Sequence, residues 1–414
     1  MKKKYVSVIL VVVMGLSICT GCNYQTVKDK IMTGTSTESS GAKSELSMHD
    51  VEDKVEEIQE LIDDNFYFGT DEAEFDEGIY KGLLQSLDDP YSVYYTKEEF
   101  EDLQQETSGE YVGVGVQVSQ DAQTMLITVT RVFKGGPAEE AGMLKGDIVT
   151  AVEDWELNGE EVSDVVEKIK GEEGTRVNVT VYRESVKDYI TLNMERRKVE
   201  NPTVSYEMLS DHIGYIQVTD FYDVTKNQYI KAIEDLDSQG MEGLVVDLRD
   251  NPGGLLSAVV DMLDYMLPQG LLVYTEDKNG NITSQFESSD KHQFTKPVTV
   301  LVNGNSASAS EIFTGAMQDR GAATIIGTTT YGKGIVQRLF PLEDGSGVKL
   351  TISKYFTPNG NDIHGKGIAP DIEIDLPDEL KTKSYLEHDE DVQLKKAIEE
   401  LMQEIGEPSV AKAG

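Results

Sequence analysis

The chain has 414 residues, 39% of them hydrophobic and 27% charged, which is length and apolar content enough for two or three folded domains. Its balance is strongly acidic, with 75 Asp and Glu against 37 Lys and Arg and a net charge of −38. Such a surface repels phosphate backbones and anionic headgroups, which excludes nucleic-acid binding as the main function. Both cysteines, Cys19 and Cys22, lie near the N-terminus, so the body of the chain holds no disulfide framework, thiol nucleophile or cysteine metal site. The five histidines (His49, His212, His292, His364 and His388) form no HExxH or other close ligand pair, and neither a metal nor another cofactor is expected.

Lys2, Lys3 and Lys4 precede an apolar run from Tyr5 to Ile18 that is short for a membrane span and suits the core of a signal peptide. The small residues ahead of Cys22 resemble a bacterial lipobox, in which that cysteine is lipidated and becomes the mature N-terminus, although Cys19 stands where Leu is usual. An uncleaved anchor and soluble secretion after cleavage nearby are the alternatives, and all three place the body outside the cytoplasm. After this leader (1–22) comes a linker, 23–47, whose residues 33–47 are rich in Ser, Thr and Gly and read as a flexible tether. From Met48 apolar residues recur at helical spacing (Val51, Val55, Ile58, Leu61, Ile62), and a second helix carries Ile79, Leu83, Leu84 and Leu87 before Asp88-Asp89-Pro90. This region, 48–108, either packs on a neighbouring domain or serves as an arm that pairs two copies.

Residues 109–190 change character. Tyr111 to Val116 reads as a glycine-interrupted strand, Met125–Val132 as another, Val162, Val165, Val166 and Ile169 as an amphipathic helix, and Arg176–Tyr182 as a further strand. With the run Gly136-Pro137-Ala138 … Ala141-Gly142 … Gly146-Asp147-Ile148 between them, the order resembles a bacterial PDZ domain. The resemblance implies that Val112, Gly113, Val114, Gly115 and Val116 receive a peptide's C-terminal carboxylate on backbone N–H groups. Val114, Val116, Val162 and Val166 would then wall an apolar groove. The plainer alternative is that the glycines only satisfy turn geometry.

Residues 191–377 alternate strands (213–218, 243–247, 298–302, 323–326) with helices (226–236, 255–266, 310–318), an α/β core with a mixed sheet. The tail, 378–414, is again helical over 389–405, with Val392, Leu394, Ala397, Ile398 and Leu401 on one stripe.

Three segments of the core carry chemistry. In Asn303-Gly304-Asn305-Ser306-Ala307-Ser308-Ala309-Ser310-Glu311 a strand gives way to a helix, and Ser308 stands where the helix N-terminus offers N–H groups to developing negative charge. Ser308-Ala309-Ser310-Glu311 is also a capping box, whose serine can do no more than close a helix. In Tyr331-Gly332-Lys333-Gly334-Ile335-Val336-Gln337, a strand would put Lys333, Ile335 and Gln337 on one face. Burial there would lower the lysine from its usual pKa of about 10.4 toward neutrality, where the amine can accept a serine proton. A glycine-flanked surface lysine is the alternative. Finally, Leu244 to Asp247 runs into Asn251-Pro252-Gly253-Gly254, where the amides of Gly253 and Gly254 could form an oxyanion hole or an ordinary strand-to-helix turn.

These segments, in this order behind a PDZ-like block, resemble the carboxyl-terminal processing (tail-specific) proteases over about residues 48–405. The likeness includes Tyr91 to Thr96, Gly214-Tyr215-Ile216, Tyr355 to Gly360 and Gly365 to Asp371. It implies a mixed α/β protease core with an inserted PDZ domain and helical N- and C-terminal arms. It makes Ser308 the nucleophile, Lys333 the base and Gln337 the residue that positions the lysine, and matches Asp319 to an acidic position near the site, where it reads chiefly as structural support. The expected partners are protein or peptide substrates with free apolar C-termini, a membrane tether, and a second copy through the arms. Where relatives carry Arg-Gly after the PDZ helix this chain has Lys170-Gly171, so Lys170 would couple substrate binding to the site without the guanidinium fork. The alternative function is a noncatalytic PDZ scaffold or chaperone on a protease-like fold. A Ser-His-Asp hydrolase is disfavoured because no Gly-x-Ser-x-Gly surrounds Ser308.

Overall fold

The computed structural model describes residues 47–406, apart from 68, 69, 71, 382, 384 and 385, so the leader with Cys22 lies outside the described residues. In chain order the elements begin with α1 (Met48–Asn65), α2 (Glu72–Gln85), β1 (Val93–Tyr95) and α3 (Lys97–Ser108). Next come β2 (Glu110–Gly113), β3 (Val116–Gln120), β4 (Ile127–Val132), α4 (Pro137–Glu140), β5 (Ile148–Val152), β6 (Trp155–Glu156), α5 (Val162–Ile169), β7 (Arg176–Arg183) and β8 (Asp188–Glu195). They are followed by β9 (Arg197–Glu200), β10 (Val204–Met208), β11 (Ile213–Val218), α6 (Thr225–Ser238), β12 (Gly243–Asp247), α7 (Leu256–Met266), β13 (Gly270–Glu276) and β14 (Ile282–Ser288). The last are β15 (Val298–Val302), α8 (Ala309–Asp319), β16 (Thr324–Gly327), β17 (Ile335–Pro341), β18 (Gly347–Phe356), β19 (Ile372–Glu373), α9 (Asp378–Lys381) and α10 (Val392–Gly406).

The described chain forms two compact units: a smaller one of residues 47–100 and 337–351, and a larger one of residues 101–336 and 352–406. In the smaller unit β1 pairs antiparallel with the start of β18, Val93 opposite Lys349. Phe100 is buried against Gly347, where a side chain on the glycine would collide with the ring. Leu61, Leu83 and Leu87 of the two helical segments remain exposed.

The larger unit holds two cores. One is a sheet in the order β3-β4-β5-β7-β8, packed on α5 through Val129, Val152, Val165, Val177, Val179 and Val181. The other is a sheet in the order β10-β11-β12-β15-β16-β19, parallel except for the edge strand β10. Its central strands are continuous apolar runs because both faces are covered. Leu244 and Val246 of β12 face the core shared with α6, α7 and α8, while Val245 faces Leu394, Ala397 and Leu401 of α10. The back helix is also fixed by charge. Arg249, just after β12, forms ion pairs with Asp247 at 2.6 Å and with Asp391 at 2.8 Å, and its guanidinium donates to Gln393 at 2.9 Å.

Candidate active site

The strands β12, β15 and β16 are parallel neighbours, so their C-terminal ends lie along one edge of the sheet, where open α/β folds place ligands. The Asn251–Gly254 turn, the loop to Ser308 and the loop to Lys333 leave from those three ends. Gly327, at the end of β16, has φ +132° and lies so close to Val302 that a Cβ would sit 1.9 Å from its carbonyl oxygen.

The buried Asn251 ties the first two loops together. Its Nδ2 donates to the Val218 carbonyl at 2.8 Å and its Oδ1 accepts the Gly253 N–H at 2.8 Å, while its own carbonyl accepts the Ala307 N–H at 3.0 Å and the Ser310 hydroxyl at 2.9 Å. Ser310 is fully buried on that contact, whereas Ser308 is half-buried. Ser308 sits at φ +54° and ψ −113°, a conformation that costs a non-glycine residue about 1–3 kcal/mol and persists only where its surroundings impose it. Gly253 (φ +107°) lies against it: a Cβ there would be 2.7 Å from the Ala307 oxygen, 2.8 Å from the Ser308 Cβ and 3.0 Å from the Ala309 nitrogen. Gly254 (φ +141°) is pinned to Phe221, whose carbonyl a Cβ would approach to 2.3 Å.

The sequence leaves open a strand through Lys333; the structure begins β17 only at Ile335. Gly332 (φ +92°) lies against the backbone of Lys366 and Gly367, and Gly334 against that of His364, so this stretch is held by a neighbouring loop and not by a ladder. Glu311, fully buried at the third position of α8, accepts the N–H of Ser308 at 3.0 Å. The same carboxylate accepts the N–H groups of Gly332 and Lys333 at 2.7 and 2.8 Å and the Thr330 hydroxyl at 2.6 Å. The backbones of Ser308 and Lys333 thus meet on one carboxylate, which sequence reasoning took for a helix cap alone. Burial pushes the Glu311 carboxyl above its usual range, against the pull of those hydrogen bonds. Gln337 lies on β17 in the smaller unit and its side-chain amide donates to Thr351 at 3.3 Å. Asp319, the last residue of α8, accepts the Asn359 N–H at 2.8 Å.

In the PDZ-like part, β3 is the edge strand of its sheet, with its open side toward α5. Gln120 joins the two by accepting the Val162 N–H at 3.2 Å and donating to the Glu160 carbonyl at 2.6 Å. Val114 and Val162 are buried in the core of this sheet, and Val116 and Val166 are half-buried against it. Val112 and Gly113 are on β2, which pairs with β9. The N–H of Val116 is directed at the Tyr111 hydroxyl, the Tyr111 ring lies against Gly113 and Gly115 follows with φ +78°. Lys170, at the end of α5, places its ammonium 5.8 Å from the centre of the same Tyr111 ring.

Residues 212–374 match the model of Peptidase family S41, residues 128–183 that of a PDZ domain, and residues 15–99 that of the activating protease CtpB N-terminal domain. The chain is 36% identical over 350 residues to the carboxy-terminal processing protease CtpA of Bacillus subtilis (strain 168), covering 84% of this chain and 74% of that one. To the carboxy-terminal processing protease CtpB of the same organism it is 34% identical over 330 residues, covering 79% and 68%. Among solved structures, the photosystem II D1 C-terminal processing protease is 30% identical, with 79% of this chain and 88% of that one covered at a TM-score of 0.46.

Proposed function

Since this chain belongs to peptidase family S41, together with the carboxy-terminal processing proteases, we propose that it cleaves proteins at or near their C-termini with Ser308 as nucleophile and Lys333 as base. The observation that carries the proposal is the meeting of the Ser308 and Lys333 backbones on Glu311, at the edge of the sheet where loops from β12, β15 and β16 converge. The neutral Lys333 amine takes the Ser308 proton as the serine oxygen attacks the scissile carbonyl. The resulting oxyanion is received by the N–H of Gly254 and by that of Ala309, which at the first helical position has no acceptor within its own helix; the Gly253 N–H, which the sequence also offered, is taken up by the Asn251 side chain. The protonated lysine then gives its proton to the leaving amine, and water attacks the serine ester with Lys333 again as base. To Gln337 we assign, from the family resemblance, the role of positioning the lysine.

Substrate choice is assigned to the edge of β3, where an added peptide strand would place its carboxylate at Val114–Val116 and its apolar side chain toward Val116 and Val166. Lys170 is the basic residue nearest to that coupling role, through its contact with Tyr111. We also assign Cys22 to lipidation, with the body held outside the cytoplasm; among the described residues no helix is long and apolar enough to cross a membrane. The exposed Leu61, Leu83 and Leu87 favour pairing of two copies through the N-terminal helices.

The test is cleavage of a peptide with a free apolar C-terminus. Ser308→Ala and Lys333→Ala are expected to abolish turnover with an unchanged melting temperature, and amidation of the peptide to slow the wild type. A Ser308→Ala protein that still turns over would overturn the assignment, and a folded wild type with no peptidase activity would favour a scaffold.

A further inference from the structure

We propose that Glu311 and Tyr355 are positioning residues that hold nucleophile and base together, the first by their N–H groups and the second by their carbonyls. The proposal rests on the reading of Ser308 and Lys333 given above. A helix cap needs only the Ser308 N–H; three of the four donors on Glu311 come instead from the lysine loop. One oxygen, Oε2, takes the N–H of both Ser308 and Lys333, and the other takes Gly332 N–H and the Thr330 hydroxyl. The Thr330 hydroxyl is aimed there because its oxygen already accepts the Ile368 N–H at 2.7 Å. Four donors match the acceptor capacity of an ionised carboxylate, and an amide in its place would turn an NH2 toward N–H groups.

The opposite ends of the same two residues converge on the buried Tyr355. Its hydroxyl lies 2.9 Å from the Ser308 carbonyl and 2.7 Å from the Lys333 carbonyl, so one phenolic hydrogen serves both. Burial, and then the charge of Glu311, push the Tyr355 hydroxyl well above its ordinary value, which keeps it a donor. Each residue of the proposed dyad is therefore fastened fore and aft by the same pair of side chains. The clamp also accounts for the persistence of the unusual Ser308 backbone, which has its N–H and its C=O engaged at once.

The experiment compares Glu311→Gln, Tyr355→Phe and Thr330→Val in the full chain, with Ser308→Ala and Lys333→Ala alongside. It reads kcat and KM on a free-acid peptide, the labelling rate of Ser308 by a small fluorophosphonate, and the melting temperature. Displacing the reacting atoms lowers kcat and labelling together, so losses of about 100-fold for Glu311→Gln and about 10-fold for Tyr355→Phe are expected, with KM within threefold. The double variant is expected to lose less than the product of the singles, because both hold the same pair. If Glu311→Gln does not fold, Tyr355→Phe and Thr330→Val, which each delete one group, decide the matter. Folded variants that keep kcat and labelling within threefold of wild type, or that lose activity through KM alone, overturn the clamp while an inactive Ser308→Ala leaves the dyad standing. An active Ser308→Ala removes the dyad itself.

Discussion

Gly253→Ala tests how closely the proposed oxyanion turn and the proposed nucleophile are fitted. The added methyl would lie 2.7 Å from the Ala307 oxygen, 2.8 Å from the Ser308 Cβ and 3.0 Å from the Ala309 nitrogen, and none of these atoms can rotate away. Restoring van der Waals distance moves Ser308 or the turn by about 0.5 Å, and overpacking of this kind costs about 1–3 kcal/mol. The φ of +107° adds a backbone cost of about 1–3 kcal/mol for any residue with a side chain. Since a misplacement of about 1 Å can slow catalysis by about 100-fold, one of about 0.5 Å is expected to lower kcat/KM by about 10-fold. Gly321→Ala separates the two effects. Gly321 also has positive φ, +61°, but nothing lies within 4 Å of its would-be Cβ, so it should lose stability alone and keep its rate. The assay is peptide cleavage by both variants beside their melting curves. A folded Gly253→Ala protein with wild-type kcat/KM would refute the fitted turn.

Arg249→Ala strips the partner from the buried Asp247 and Asp391 and is expected to cost about 3–5 kcal/mol, read as a lower denaturation midpoint. Burial pushes the Asp147 carboxyl up, but hydrogen bonds from Arg183 and from the Leu144 N–H, with the charge of Arg183, hold it below its usual range. Its contribution is therefore present above the ordinary carboxylate value of about 3.9 and lost as pH falls through the lowered one, so Asp147→Asn should flatten that part of the stability curve. Tyr111→Phe frees the Val116 N–H and is expected to tighten binding of free-acid peptides about fivefold, near 1 kcal/mol for one hydrogen bond; calorimetry on the Ser308→Ala background would measure it.

The buried strands were legible because both faces demand apolar residues: β11, β12 and β15 coincide with the runs seen in the sequence. The helices were legible from their period, with ends displaced by one to three residues. Strands on the surface were not. Ile282–Ser288 pairs with β13, yet most of it is exposed and polar, so its sequence carries no alternation to detect. The site divides in the same way. Ser308 and Lys333, the proposed dyad, stand in motifs visible in the sequence, whereas the donors on Glu311 come from a loop about twenty residues on, and Tyr355 meets both residues from a distant strand. Local patterns record helix caps and cannot record convergence in space. The same limit explains Lys333: a strand through it was left open, and what decides against one is the packing of its flanking glycines on residues 364–367, far along the chain.

The clamp between Arg249 and the start of α10 also sets an order of events during synthesis. Gln393 follows Arg249 by 144 residues, which at about 5–20 residues per second take on the order of ten seconds to make. Until they arrive, Ile213, Tyr215, Val245, Leu301 and Ile326 have no α10 to cover them, and Asp247 shares Arg249 with no second carboxylate. The strand that leads to the proposed oxyanion turn is thus secured by a segment made well after it. A nascent chain holds every residue of its proposed dyad before it holds the helix that braces the sheet beneath them, so the floor of the site sets only after its reacting residues have been made.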